Sequence, residues 1–170
     1  MMRLDYYVKA FYDLNYPETA VSAYQEILSF NELLQFYPKL KNITVYNKDV
    51  MVVLFDTLKD HYSELFLNWI KVLIEDRHLR SFKRITQIYL SLLIKDQLYF
   101  VVDVKSAHPL SNQTQEKILK LVQDNYGLAL EIDYEIDPNL VMGLVISINH
   151  QVIDLTALGQ LKHLASEVLQ

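Results

Sequence analysis

Two short stretches, SAHPL at Ser106–Leu110 and IDPNLVMG at Ile136–Gly143, decide how this chain is read, because they punctuate the region where the sequence periodicity changes. Before them, apolar residues recur at helical spacing. From Tyr99 onward a period of two takes over: Tyr99–Val104 is aromatic and β-branched, and Leu130, Ile132, Tyr134 and Ile136 alternate with Glu131, Asp133 and Glu135. That alternation is the pattern of a strand with one wet face. Pro109 and Ser111 supply a turn and a cap for a helix that ends near Tyr126 and Gly127. Pro138 closes the second strand. Leu144–Ile148 and Gln151–Ile153 read as strands about an Asn149-His150 turn, and Leu158, Leu161, Leu164 and Leu169 mark a terminal helix.

Glycine divides the chain at the same place. All three glycines (Gly127, Gly143, Gly159) follow residue 100, so the first hundred residues are expected to be almost wholly helical; ten of the twelve tyrosines lie there, where amphipathic rings cover helix seams. Six helices are predicted. The first carries Leu4, Tyr7, Val8, Phe11 and Leu14 as one stripe. The second starts at Pro17 and runs through Ala20, Tyr24, Ile27 and Leu28 to about Phe30, and a short third spans Glu32–Phe36. Asn47 caps a fourth (Val50, Val53, Leu54, Leu58) and Ser63 a fifth (Phe66, Trp69, Ile70, Leu73). The sixth and longest covers His78–Leu98. The expected fold class is therefore α+β: an N-terminal six-helix bundle over residues 1–98, followed by a small α/β domain over 99–170.

Composition removes several function classes. A chain of 170 residues can bury roughly 70% of its unfolded surface, so a substantial core is available. The absence of cysteine excludes disulfides and thiolate metal sites. Residues 1–99 hold 12 Lys+Arg against 12 Asp+Glu and residues 100–170 hold 4 against 9, which places the whole net charge of −5 in the second part and disfavours a nucleic-acid backbone as partner. The start has no signal-peptide character and no stretch is long and apolar enough to span a membrane, so a soluble protein without direct membrane insertion is expected.

Chemistry-bearing constellations are sparse. The five histidines (61, 78, 108, 150, 163) fall in separate elements without an i,i+4 ligand partner, and neither GxGxxG nor GxxxxGK[ST] occurs, so no metal, nucleotide or other cofactor is expected. Ser106, Ser111 and Ser147 lack a nucleophile elbow, and the Glu131, Asp133, Glu135 run reads as a solvated strand face. What remains is partner binding. Tyr7, Ala10, Phe11 and Leu14 on the first helix and Phe66, Trp69, Ile70 and Leu73 on the fifth either pack as core, the usual fate of an apolar stripe, or line a groove for an amphipathic helix. The terminal leucines, with Leu155, are more apolar than a small sheet needs.

The order of these elements resembles the delta subunit of F-type ATP synthases, called OSCP in mitochondria, over nearly the whole chain. YVKAFYDL (Tyr7–Leu14) is similar to that family's first helix, and VLIEDRHLRSFKRITQIYLSLL (Val72–Leu93) to its entry into the long sixth helix. VVDVKSAHPLSNQTQEKI (Val101–Ile118) and IDPNLVMGLVISINHQVIDLTALGQLKHLASEVL (Ile136–Leu169) resemble its V-SA-PL turn, I-DP-L-GG segment and V-DGS ending. Met142, Leu155, Thr156 and Gln160 depart from the pattern, as in a divergent member or one recruited to a specialised rotary ATPase.

The resemblance implies a non-catalytic peripheral-stalk subunit on the cytoplasmic face of the cell membrane, linking the catalytic head to the stator. It implies that an N-terminal helix of the alpha subunit lies in the groove of Tyr7, Ala10, Phe11, Leu14, Phe66, Trp69, Ile70 and Leu73. It further implies that b-type stalk helices meet Val152, Ile153, Leu158, Leu161 and Leu164. Competing expectations are a helical adaptor outside any ATP synthase, and a small hydrolase using Asp154 with His150 or His163.

Overall fold

The computed structural model describes residues 4–44, 46–127, 130–140, 142–149 and 151–155. The chain is of mixed α+β class, with helices first and a four-stranded sheet second, and it divides into two compact units, Met1–Leu98 and Tyr99–Gln170.

The helical unit comprises α1 (Leu4–Asn15), α2 (Ala20–Phe36), α3 (Lys48–Leu58), α4 (Glu64–Glu75) and α5 (Phe82–Lys95), with 3-10 turns at Pro38–Asn42 and Leu79–Ser81. The second and third predicted helices are one: Ala20, Ala23, Tyr24, Ile27, Phe30 and Leu34 are all buried, so the i, i+3, i+4 stripe runs unbroken to Leu34 and holds the backbone helical past Asn31. Pro17 precedes the helix in a turn, after a cis Tyr16-Pro17 bond, instead of opening it. The predicted sixth helix begins as a 3-10 turn and becomes α-helical only at Phe82. Ser63 caps α4 by accepting from the Phe66 N–H. Asn47 makes no such cap on α3; its Oδ1 accepts instead from the Thr44 N–H and hydroxyl.

Aromatic side chains fill the core of this unit. Phe11, Phe30, Phe66, Phe82 and Tyr89 are essentially inaccessible, and Phe30 meets Phe82 edge-on at 5.1 Å. Buried tyrosines find polar partners: Tyr89 donates to the Ala20 carbonyl at 3.1 Å and Tyr12 to Asp96 at 2.7 Å. That second bond rotates α1 relative to the expected stripe. Tyr12 and Asn15 face inward, Asn15 Nδ2 donating to the Phe11 carbonyl, and Leu14 is turned out, 68% exposed.

In the second unit, β1 (Phe100–Ser106), α6 (Asn112–Tyr126), β2 (Leu130–Ile136), β3 (Leu144–Ile148) and β4 (Gln151–Asp154) form a sheet of order β2-β1-β3-β4. β1 and β2 are parallel and joined by α6, as a parallel pair requires, while β3 runs antiparallel to β1 and pairs with β4 as a hairpin. Val102, Val104, Ile146 and Ile148 from the sheet close on Ile118 and Val122 of α6. Ser111 caps α6 through the Thr114 N–H, and Gly127, at φ +93°, ends it in a conformation that only glycine adopts without strain.

Candidate interaction surfaces

The α1/α4 seam is closed by the chain's own side chains. Phe11 stacks on Trp69 with centroids 4.2 Å apart and planes 8° from parallel, and Phe66 meets Phe11 edge-on at 6.0 Å. The Trp69 Nε1–H donates to the Tyr7 carbonyl at 3.1 Å. Phe66, Ile70 and Leu73 have no accessible surface, and Phe11 and Trp69 retain 1% and 7%. Five of the eight residues expected to line an open groove are therefore core. A tryptophan and a phenylalanine on facing helices bury more area against each other than a solvent-filled trough between them would leave.

The other three are at the surface. Tyr7 is half-buried, its ring edge-on to His78 at 4.9 Å and its hydroxyl bonded to Asp76, whose carboxylate holds the phenol above its ordinary value. Ala10 and Leu14 are exposed. Leu65, Trp69 and Val72 on α4 and Asp76 at its end follow i+4, i+3, i+4 spacing, and the bonds that Trp69 and Asp76 make with Tyr7 place that row beside α1. Leu65 and Val72 are 39% and 41% exposed. Sequence reasoning passed over both because they flank the stripe instead of belonging to it. Ala10 and Leu14 on α1 and Leu65 and Val72 on α4 are thus exposed apolar residues on the two helices that the Phe11-Trp69 stack joins.

In the second unit, the stretches SAHPL and IDPNLVMG meet at one end of the sheet, a pairing that separation in sequence conceals. The Asp137 N–H donates to the Ser106 carbonyl at 2.9 Å, and the Ala107 N–H reaches the Gly143 carbonyl at 3.4 Å. Ser106 Oγ donates to the His108 carbonyl, shaping the turn. Asp137 Oδ1 accepts from the backbone and side-chain N–H groups of Asn139, both at 2.9 Å, and these bonds hold its carboxyl below the usual range. At the other end Asn149, at φ +43°, is more than a turn residue. Its amide donates to the Tyr99 carbonyl, its Oδ1 accepts from the Val101 N–H, and its own N–H donates to the Val101 carbonyl, tying the β3-β4 hairpin to the start of β1.

β4 is an edge strand exposed along its length. Val152 and Ile153, two of the expected stalk contacts, are 64% and 43% exposed, and Leu155 is 45% exposed. Leu158, Leu161 and Leu164 lie outside the described residues, as do His150 and His163 of the hydrolase expectation. Among the described residues no three His, Asp or Glu side chains cluster as a metal site, and no helix is long and apolar enough to cross a membrane. Glu135, on the wet face of β2, pairs with Lys105 at 2.9 Å across β1, an exposed ion pair of small energetic weight.

These features define a class of protein built for contact: a helical unit with an apolar outer seam, and a small α/β unit with an open, apolar edge. The sequence model of the ATP synthase delta (OSCP) subunit family matches residues 5–168, and the chain belongs to that family. An ATP synthase subunit delta of a Synechococcus strain is 33% identical over 108 residues, 63% of this chain and 59% of the relative. Those of Psychromonas ingrahamii and Mycoplasmoides gallisepticum are 24% and 25% identical over 94% and 76% of this chain, and 92% and 72% of theirs. Among solved structures, a chain of the Toxoplasma gondii mitochondrial ATP synthase hexamer shares the fold, with a TM-score of 0.57 at 16% identity over 100% of this chain and 99% of the other.

Proposed function

We propose that this chain joins the catalytic head of an F-type ATP synthase to its peripheral stalk through separate contacts on its two units. As a member of the delta (OSCP) family it is a peripheral-stalk subunit, and the match over residues 5–168 carries that assignment. Its task is mechanical and non-catalytic: it holds the stator against rotor torque from a peripheral position on the cytoplasmic face of the cell membrane.

The head contact is a helix from the N-terminus of an alpha subunit, laid along the outside of the α1/α4 seam on Ala10, Leu14, Leu65 and Val72 with Tyr7 at its border. Phe11, Phe66, Trp69, Ile70 and Leu73 support this surface from beneath. A floor of stacked rings is rigid, so docking orders few new side chains and the contact dissociates slowly. The b-type stalk subunits meet the second unit at the exposed apolar edge of β4, Val152 and Ile153, together with Leu158, Leu161 and Leu164 of the following segment.

Co-purification from native membranes tests this reading. The chain is expected to bring down alpha and b-type subunits together. Leu14→Asp, at an exposed position, is expected to release the alpha subunits and keep the b-type subunits, because a carboxylate pressed against an apolar helix loses hydration without compensation. Full retention of alpha subunits by a Leu14→Asp, Val72→Asp double variant would overturn the head contact.

A further inference from the structure

The helical unit carries a second docking surface, built from none of the α1/α4 residues. Between the end of α2, the Pro38–Asn42 turn and α3 lies a groove of about 560 Å³ whose walls are Leu33, Tyr37, Leu40, Val50, Val53 and Leu54. It continues through a hollow of about 230 Å³ that shares Leu40 and Val50 with it and adds Lys39 and Asn47. That hollow in turn shares Asn42 and Ile43 with a cleft of about 260 Å³ lined by Lys41, Arg77 and Arg80. The three adjoin through these shared residues, and the series, called the furrow below, is apolar at one end and basic at the other.

Both ends are left incomplete by the chain itself. α3 sends only Leu58 into the core among the described residues, while Val50 and Val53 stand 48% and 66% exposed over the groove. At the basic end, Lys39, Lys41, Arg77 and Arg80 form no ion pair among the described residues, in a chain whose net charge is −5. The Arg80 Nε–H donates to Asn42 Oδ1 at 3.0 Å, which fixes the guanidinium and leaves its terminal amines for another acceptor. Arg77 follows α4 at φ +59°, in the left-handed turn that ends the helix. Gln97 closes α5 in the same way, so the backbone conformation is not the signal; the signal is three cations converging on one concavity. The carboxylate in the groove wall, Asp49, sits in the first turn of α3, where the helix N-terminus offsets its charge.

We infer that this furrow binds an amphipathic helix of a partner protein, apolar along one face and acidic at the end lying over Lys41, Arg77 and Arg80. A groove between two helices accepts a guest helix through anchors at i, i+3, i+4 and i+7, and α3, at about 16 Å, matches roughly three turns of such a guest. Carboxylates on that guest complete the cleft, which fixes its direction in the groove.

Anisotropy of a fluorescent synthetic peptide of about 15 residues, leucine-faced with glutamates at one end, measures this on the full chain against a twin carrying lysines instead. The glutamate peptide is expected to bind more tightly than the lysine twin and to weaken as salt rises. Val53→Asp is expected to weaken it at least about tenfold, and Arg77→Glu with Arg80→Glu to do the same and to reverse the preference to the lysine twin. Leu14→Asp leaves binding unchanged, which separates this furrow from the α1/α4 surface; circular dichroism confirms that each variant folds. Equal binding of the two peptides, no binding of either, or indifference to both furrow variants overturns the inference. Self-association of the chain abolished by Val53→Asp also overturns it, assigning the furrow to a second copy.

Discussion

Trp69 is the position where a contact residue and a structural residue are told apart. Replacing it with alanine removes an indole that is 7% exposed, its stack on Phe11 and its donation to the Tyr7 carbonyl. Truncating a buried Trp costs about 3–5 kcal/mol through lost transfer energy and the cavity left behind. The Tyr7 carbonyl keeps its place in the α1 ladder, so the lost indole donation adds little and about 3–5 kcal/mol is the expected total. Against a stability of about 5–15 kcal/mol for a domain, this brings the helical unit to the edge of unfolding. Trp69→Phe, which keeps a ring over Phe11 and loses the donor, is expected to cost about 1–2 kcal/mol. Urea titration of the isolated chain followed by far-UV circular dichroism measures both. The same titration on Leu14→Asp should move by less than about 0.5 kcal/mol, since Leu14 is exposed. A loss under about 1 kcal/mol for Trp69→Ala would refute the argument and restore Trp69 to the docking surface.

Ser111→Ala removes the acceptor for the Thr114 N–H and should destabilise the second unit by about 1 kcal/mol in thermal or urea melts. Asn149→Ala loses both side-chain bonds to the start of β1 at a left-handed position and is expected to cost about 2–3 kcal/mol, with faster amide exchange at Val101. Burial raises the phenols of Tyr12 and Tyr89 above the ordinary 10.0, helped by Asp96 for Tyr12 and Glu26 for Tyr89. A folded state that holds the proton more tightly than the unfolded one is stabilised below pH 10 and loses that stabilisation as pH rises further. Circular dichroism should therefore show the helical unit weakening above pH 10, and tyrosinate absorbance should gain a late component that appears together with unfolding. Acid acts on the second unit in the opposite sense: Asp137, held below its ordinary 3.8 by the Asn139 bonds, stabilises the 137–140 turn above that value and ceases to as pH falls through its lowered one, with amide exchange at Asn139 as the readout.

Local chemistry is what the sequence by itself determined. The change of period at Tyr99, the caps at Ser63 and Ser111, the stop at Gly127 and the alternation along β2 each depend on neighbours within a few residues, and each is present in the structure. Asn47 failed as a cap through a local competitor, Thr44, but elsewhere the deciding partner was distant in sequence. Leu14 belonged to the apolar stripe by spacing, but Tyr12 reaching Asp96 and packing on Tyr89 rotates α1 and turns Leu14 to the surface. The helix end expected near Phe30 was moved by burial of Phe30 and Leu34, and the start expected at Pro17 lies at Ala20.

The same limit governs the functional surfaces. Periodicity marked Phe11 and Trp69 as apolar and facing, and it could not say whether the space between them stays open; two rings 4.2 Å apart close it. Nor could it bring Lys41 to Arg77 and Arg80, 36 and 39 positions away in the numbering, or lay the SAHPL turn beside Asp137 and Gly143. Hydrophobic spacing encodes which side of an element seeks cover. Which neighbour provides that cover, and which apolar or charged surface is left without any, depends on the packing of whole elements, and only the tertiary structure decides it.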